Sequence, residues 1–294
     1  MSAPGNQESP AGLAPIVCCV DDDFVGPLRV LMQSLAVVHG EAAADLKLIV
    51  IHKGLSDAHR DVLQANGAEL GITVELRRVP APDSRYPEFR TGSDATYTRL
   101  AIPDVVPDHP VVLYLDVDII VVDDIRPLLR LPLAGAPFAA VPDPTKPLLR
   151  LGRALPGWEQ LGLLGDREYF NNGVMLIDIP QCLRRDLFTR AARFLIDHPE
   201  NLRYWDQDAM NWAATPDWRR LARKWNTFAL SPLVQAGSYV HQSESVLPLA
   251  QLLDEESTAA ILHFAGPRKP WMPDYPDGMH RERYLKLLHM NADR

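Results

Sequence analysis

Residues 111 to 122, Val-Val-Leu-Tyr-Leu-Asp-Val-Asp-Ile-Ile-Val-Val, hold the chain's most informative chemistry. Val111 to Leu115 reads as a strand buried on both faces. Asp116 and Asp118 then interrupt an otherwise apolar run, and neither carboxylate can be buried ionised without a partner. With a side-chain period of two they lie on the same side of the chain, where both can reach one cation. A divalent ion held there keeps coordination positions free for phosphate oxygens. A strand that simply ends in a solvated acidic turn is the competing reading, so other residues must decide.

Two further groups bear on that choice. The first strand, Ile16 to Val20, runs into Asp21-Asp22-Asp23, where a dinucleotide-binding fold would put glycines for a pyrophosphate. Three carboxylates repel a pyrophosphate and suit neutral donors instead, such as ribose hydroxyls and a base imide; helix capping by Asp23 explains only one of the three. Near the C-terminus, Ile261-Leu262-His263-Phe264 is a short apolar strand, followed by Gly266 and Lys269. A histidine at a strand end is by itself an ordinary structural hydrogen-bonder. Beside two carboxylates it completes a mixed nitrogen and oxygen site that suits Mn²⁺ better than Mg²⁺. Gly266 permits close backbone approach and Lys269 offers a cation to a diphosphate.

The elements that must position these residues follow from periodicity and punctuation. Strands are expected at 16–20, 46–51, 72–79, 111–115, 138–141, 170–179 and 261–264. Helices are expected at 28–38 (Pro27 in the first turn), at 56–66 (Ser56 as cap, Gly67 as stop), around 95–101, at 185–197 and at 207–214. The β-α-β-α-β order of the first half predicts an α/β fold with a mostly parallel central sheet flanked by helices and ligands at the carboxyl ends of the strands. Residues 142–166, rich in Pro and Gly, read as a long surface excursion, and 218–253 cannot be placed. No repeat or linker appears, so residues 16–294 are expected to form one domain, ending in a tail or helix at 272–294.

Composition narrows the function. A net charge of −8 without any basic block argues against a nucleic-acid partner. No apolar stretch is long enough to span a membrane. Residues 1–15 lack a signal peptide's basic start and apolar core and read as a disordered leader. Cys18 and Cys19 are strand neighbours that point to opposite faces, and Cys182 stands apart, so no disulfide is expected. The expectation is a reduced, cytoplasmic protein. Arg281, Arg283 and Lys286 sit among acidic residues near the C-terminus and read as an ordinary terminal helix rather than a peripheral membrane contact.

Four segments together resemble glycosyltransferase family 8, the family of lipooligosaccharide galactosyltransferases and glycogenin: Leu113-Tyr114-Leu115-Asp116-Val117-Asp118, Tyr169 to Asp178, Trp205-Asp206-Gln207-Asp208, and His263 to Trp271. The resemblance implies a GT-A fold, a Mn²⁺-dependent UDP-glucose or UDP-galactose donor, an acceptor hydroxyl of unknown identity, and retention at the anomeric carbon. Asp116 and Asp118 match the family's DxD motif and His263 its third metal ligand. Cys19, Asp21, Asp23 and Phe24 fall where the family holds uridine, and Val117 lies within the DxD motif of the donor site. Arg99 resembles the arginine that contacts the donor sugar and diphosphate. Asn171 and Asn172 match the turn beside that sugar, Gly266 and Lys269 the diphosphate grip, and Asp206 and Gln207 the pair beneath the reacting carbon. Asp143 falls where the family can place a carboxylate near the acceptor.

Gln207 is an amide and a poor nucleophile, so front-face attack by the acceptor is expected, not a covalent intermediate. Two rivals stay open. Haloacid-dehalogenase phosphatases also use Asp-x-Asp after an apolar strand, usually near the N-terminus. A regulator could bind the nucleotide sugar without turning it over.

Overall fold

The structure is a computed structural model that describes residues 12–81, 83–88, 95–214 and 217–292. Its ten strands are β1 (Ile16–Cys19), β2 (Lys47–His52), β3 (Thr73–Arg78), β4 (Val111–Leu115), β5 (Ile119–Val121), β6 (Phe138–Pro142), β7 (Phe170–Asp178), β8 (Arg219–Arg220), β9 (Thr227–Phe228) and β10 (Ile261–His263). Seven form one sheet in the order β3-β2-β1-β4-β7-β6-β8, and β5-β10-β9 form a small second sheet. In the large sheet β7 alone runs against its neighbours, pairing antiparallel with β4 and β6. The mostly parallel sheet flanked by helices is thus present.

Both faces of the large sheet are covered, which explains why its strands read as unbroken apolar runs. Ile16, Cys18, Leu113 and Leu115 pack into one core with Leu28, Leu31 and Leu35 of the helix Val25–His39. Val17, Val112 and Tyr114 point into the other, against Phe194 and Leu195 of the helix Leu187–Asp197. The terminal helix Met279–Ala292 packs on the helix Val25–His39.

Three expectations change. Ser56 caps its helix by accepting from the His59 N–H, as expected, but the helix runs on to Leu70 and stops at Gly71, whose φ is +70°. Gly67 is inside it and buried, because a Cβ there would lie 2.4 Å from Val74 Cγ2 and 2.9 Å from the Ile72 carbonyl oxygen. It is the point where helix and β3 touch, not a stop signal. The acidic turn after β1 is a short 3-10 helix capped by Asp21, which accepts from the Asp23 N–H at 3.2 Å. The expected leader also ends earlier: Ala14 is buried and its N–H donates to the Leu129 carbonyl, while the Pro15 carbonyl accepts from Leu113. Residues 1–11 of that leader lie outside the described residues.

The two sheets converge on one edge of the molecule. β1 and β4 end there at their carboxyl ends, and the reversed β7 begins there, so Asn171 and Asn172 join the ends of strands that run the other way. β10 pairs antiparallel with β5, setting His263 opposite Ile119, and the Phe264 N–H donates to the Asp118 carbonyl. A residue close to the end of the sequence is thereby laid against the acidic pair.

Candidate active site

A cleft of about 500 Å³ opens at this edge, lined by Cys19, Phe24, Arg99, Asp116, Val117, Asp118, Asn172, Asp206, Gln207, Gly266 and Lys269 among others. Eleven of the residues singled out from the sequence therefore share one wall. Asp116 and Asp118 line the cleft and His263 is buried just behind them; each presents a ligand atom within 4.8 Å of the others. His263 Nε2 lies 3.3 Å from Asp118 Oδ1 and 4.0 Å from Asp116 Oδ2.

Each carboxylate gives one oxygen to the protein and turns the other to the cluster. Asp116 Oδ1 accepts from Arg99 Nη2 at 2.9 Å and from the Tyr114 hydroxyl at 2.6 Å. Asp118 Oδ2 accepts from Lys269 Nζ, which also donates to the Phe264 carbonyl. Burial opposes ionisation of Asp118, but Lys269 and His263 outweigh it and hold the carboxyl far below its usual range. Gly173 backs the cluster; a Cβ there would stand 2.5 Å from His263 Cε1 and 2.7 Å from Asp116 Oδ2. Two carboxylate oxygens and an imidazole nitrogen converging from a fixed backing fit a divalent cation.

Arg99 is the centre of the charged wall. Besides Asp116 it pairs through Nε with Asp206 Oδ2 at 3.1 Å and donates to the Asn172 carbonyl at 3.2 Å. Its guanidinium packs over the Tyr114 ring, 4.7 Å from the centroid. Burial pushes the Asp206 carboxyl up to about 6 against the opposing pull of Arg99. Asp206 also accepts from Asn172 Nδ2 at 2.7 Å. Burial likewise pushes the Cys19 thiol up to about 12, so it meets the cleft as a neutral group.

Behind the cleft the material changes from charges to amides. Gln207 Oε1 accepts from Asn171 Nδ2 at 2.9 Å, and Gln207 Nε2 donates to Asp143 Oδ2 at 3.2 Å. Asn211, one turn further along the helix Trp205–Ala213, donates to the carbonyls of Gln207 and Phe170 and accepts from the Phe170 N–H. These bonds hold the helix to β7. Asp208 is fully buried and accepts from the N–H groups of Leu155, Arg203 and Tyr204 and from the Tyr169 hydroxyl. It ties the 142–166 excursion to the helix and has no face on the cleft.

Some residues stand away from the cleft. Asp143, expected at the acceptor, is 0% exposed and bonded to Thr145, to Lys146 Nζ at 2.7 Å, and to Gln207. Lys146 outweighs burial and keeps its carboxyl below the usual range. Asp143 thus supports Gln207 from behind. Asp21 and Asp23 are in the turn beside Phe24 but do not line the cleft, and Asp22 is tied to Ser56 and His59. Asn171 lies behind Gln207. Gly266 has open space where a Cβ would stand, so its φ of +107° requires glycine there, not close approach.

Sequence reading did not single out Tyr114, Lys146, Trp205 or Asn226 for a role. Trp205 lines the cleft and holds φ at +43°, a costly conformation for a bulky residue, immediately before Asp206. Asn226 Oδ1 is 2.9 Å from His263 Nδ1. Trp205 falls in one of the four resembling segments but its left-handed backbone is a property of the tertiary fold, as is the pairing of Asn226, from an unplaced segment, with His263.

The glycosyl transferase family 8 profile matches residues 15–274. The chain therefore belongs to that family, and it is a glycosyltransferase. General stress protein A of Bacillus subtilis (strain 168) is 28% identical over 266 residues, covering 87% of this chain and 86% of that protein. Lipopolysaccharide 1,3-galactosyltransferase of Salmonella typhimurium is 30% identical over 276 residues, covering 90% and 75%. The crystal structure of the galactosyltransferase LgtC with donor and acceptor sugar analogs has a TM-score of 0.75 at 26% identity, covering 94% of this chain and 95% of that one. The GT-A fold expected from the sequence is the fold found. Among the described residues no helix is long and apolar enough to cross a membrane.

Proposed function

We propose that the protein moves a hexose, glucose or galactose, from UDP to a saccharide hydroxyl with retention of anomeric configuration. Residues 16–294 act as one catalytic domain in the cytoplasm. The observation that carries this reading is the convergence of Asp116, Asp118 and His263 on one point of a cleft that also holds Arg99, Lys269, Asp206 and Gln207. A lipopolysaccharide galactosyltransferase and a lipopolysaccharide 1,2-glucosyltransferase among the relatives favour those two sugars and a glycan acceptor of that kind.

Asp116, Asp118 and His263 would hold Mn²⁺, which when bound neutralises charge on the diphosphate as it leaves. Phe24, with Cys19 and the backbone beside Asp21 and Asp23, offers a stacking face and acceptors for the uridine. Lys269 is close enough to exchange its bond with Asp118 for one with a diphosphate oxygen. Arg99 orients Asp206, whose carboxylate receives hydroxyls of the sugar. Gln207 presents a neutral dipole beneath the anomeric carbon, where positive charge develops. The sugar–phosphate bond breaks with its electrons going to UDP. The acceptor oxygen bonds to the carbon on the same face, and its proton passes to the departing phosphate oxygen. Asp208 is sealed behind the helix and cannot serve as a nucleophile.

The test is a panel of nucleotide sugars incubated with Mn²⁺ or with EDTA, following release of UDP and free sugar. Metal-dependent release from one UDP-hexose is expected. Equal release in EDTA, or tight UDP binding with no release from any of the sugars, would contradict the proposal.

A further inference from the structure

The buried amides behind the cleft form a chain whose directions are fixed at both ends. The Gly173 N–H can only donate, so the Asn171 atom 3.0 Å from it is Oδ1. Asn171 Nδ2 then faces Gln207, which must answer with Oε1, and its Nε2 turns to Asp143 Oδ2, a carboxylate that can only accept. The two ends agree without adjustment. The same Asn171 Oδ1 also meets Asn226 at 2.8 Å, so that atom of Asn226 is Nδ2. Asn226 Oδ1 is left facing His263 Nδ1, which therefore carries a ring proton. Nε2 is the nitrogen turned to Asp116 and Asp118, carboxylates that accept from it until a cation takes the place of its proton. A backbone N–H on β7 thus dictates the tautomer of a histidine on β10.

We propose that Asn226 is a positioning residue that fixes His263 with Nε2 as its ligating nitrogen, and that Asn171 joins this arrangement to the amide of Gln207. Burial supports it: Asn171, Asn226, Gln207 and His263 are each less than a tenth exposed, so water does not compete for these bonds. The second half of the proposal has a consequence for turnover. Gly173 fixes the direction of Asn171 and Asn226 shares the same oxygen, so an acceptor placed at Asn226 Nδ2 would repel Asn171 Oδ1 and disturb both ends of the site.

The proposal rests on the metal reading above, and the measurement separates the two. Long-range ¹H–¹⁵N correlation spectra of the metal-free full chain, with His263 assigned by difference against His263→Gln, are expected to show a proton on Nδ1. Asn226→Leu removes the acceptor: the Nδ1 proton should lose its hydrogen bond and shift, and Mn²⁺ affinity, read by electron paramagnetic resonance, should fall roughly 10–100-fold. Asn226→Asp keeps an acceptor for Nδ1 but faces Asn171 Oδ1 with an oxygen. It should retain the tautomer and bind Mn²⁺ within about threefold of the parent, yet lose roughly tenfold or more in kcat with KM for the donor little changed. A parent His263 with no proton on Nδ1 would overturn the proposal, as would full Mn²⁺ affinity in a folded Asn226→Leu. Should that variant not fold, the parent tautomer and Asn226→Asp decide. A parent that shows the Nδ1–H tautomer but binds no Mn²⁺ would refute the metal reading and leave the tautomer assignment standing.

Discussion

The two ends of the site, the charged cluster at the cleft and the amide layer behind it, are made of opposite materials. At one end Asp116, Asp118, His263, Arg99 and Lys269 bring carboxylates, cations and an imidazole together, with one oxygen of each metal-site carboxylate turned to the imidazole. At the other, Asn171, Asn211, Asn226 and Gln207 meet donor to acceptor, and none has a buried polar side-chain atom without a partner. Neutral hydrogen bonds of this kind give direction at little net gain in stability, but leaving one unmade in a buried site is costly. The charged end points three ligand atoms at one another across less than 4.8 Å. The amide end is already complete. Binding and turnover should therefore separate between them.

Asp118→Asn attacks the charged end most severely, since it removes a ligand and frees Lys269 in one change. Transfer should fall roughly a thousandfold, with UDP affinity in Mn²⁺ falling alongside it. Gln207→Ala attacks the amide end: kcat should drop roughly a hundredfold while UDP affinity stays within about threefold of the parent. Equal losses of affinity in both variants would erase the distinction between the two ends. Lys146→Met leaves Asp143 buried and ionised without its cation, and should cost about 3–5 kcal/mol of unfolding free energy in urea titrations. Transfer measured on the fraction still folded should fall less than in Gln207→Ala.

The smallest effect concerns pH at the junction of the two ends. The Asp206 carboxyl, pushed up to about 6, lies above its unfolded value near 4. The folded state therefore takes up this proton first as pH falls, and this group's contribution to stability rises between pH 7 and 4. Activity should move the other way, because a protonated Asp206 no longer pairs with Arg99, and turnover should decline through about pH 6. Comparing thermal unfolding and rate across this range in the parent and in Asp206→Asn checks both slopes; the variant should lack them.

Much of this arrangement is written locally. The buried run of β4, the acidic pair after it and the apolar strand ending in His263 are each visible as patterns, because strands covered on both faces leave an unambiguous apolar run. The turn after β1 shows its aspartates, though not that Asp21 caps it and Asp22 braces the start of the helix Asp57–Leu70. The stop at Gly71 was obscured because Gly67 stands three residues from where a helix of ordinary length would end, and only contact with Val74 explains it. Asp143 looked available for a substrate because nothing local reveals Lys146 folding back on it. Asn226 lay in the segment that periodicity could not place, and its part depends on three strands meeting.

Titration of UDP into the protein, once with Mn²⁺ and once with EDTA, tests most directly whether Asp116, Asp118 and His263 hold a cation for the diphosphate. UDP is expected to bind at least about tenfold more tightly with Mn²⁺, a difference of about 1.4 kcal/mol or more, and the gain should vanish in Asp118→Asn. The same affinity in EDTA as in Mn²⁺ would contradict it.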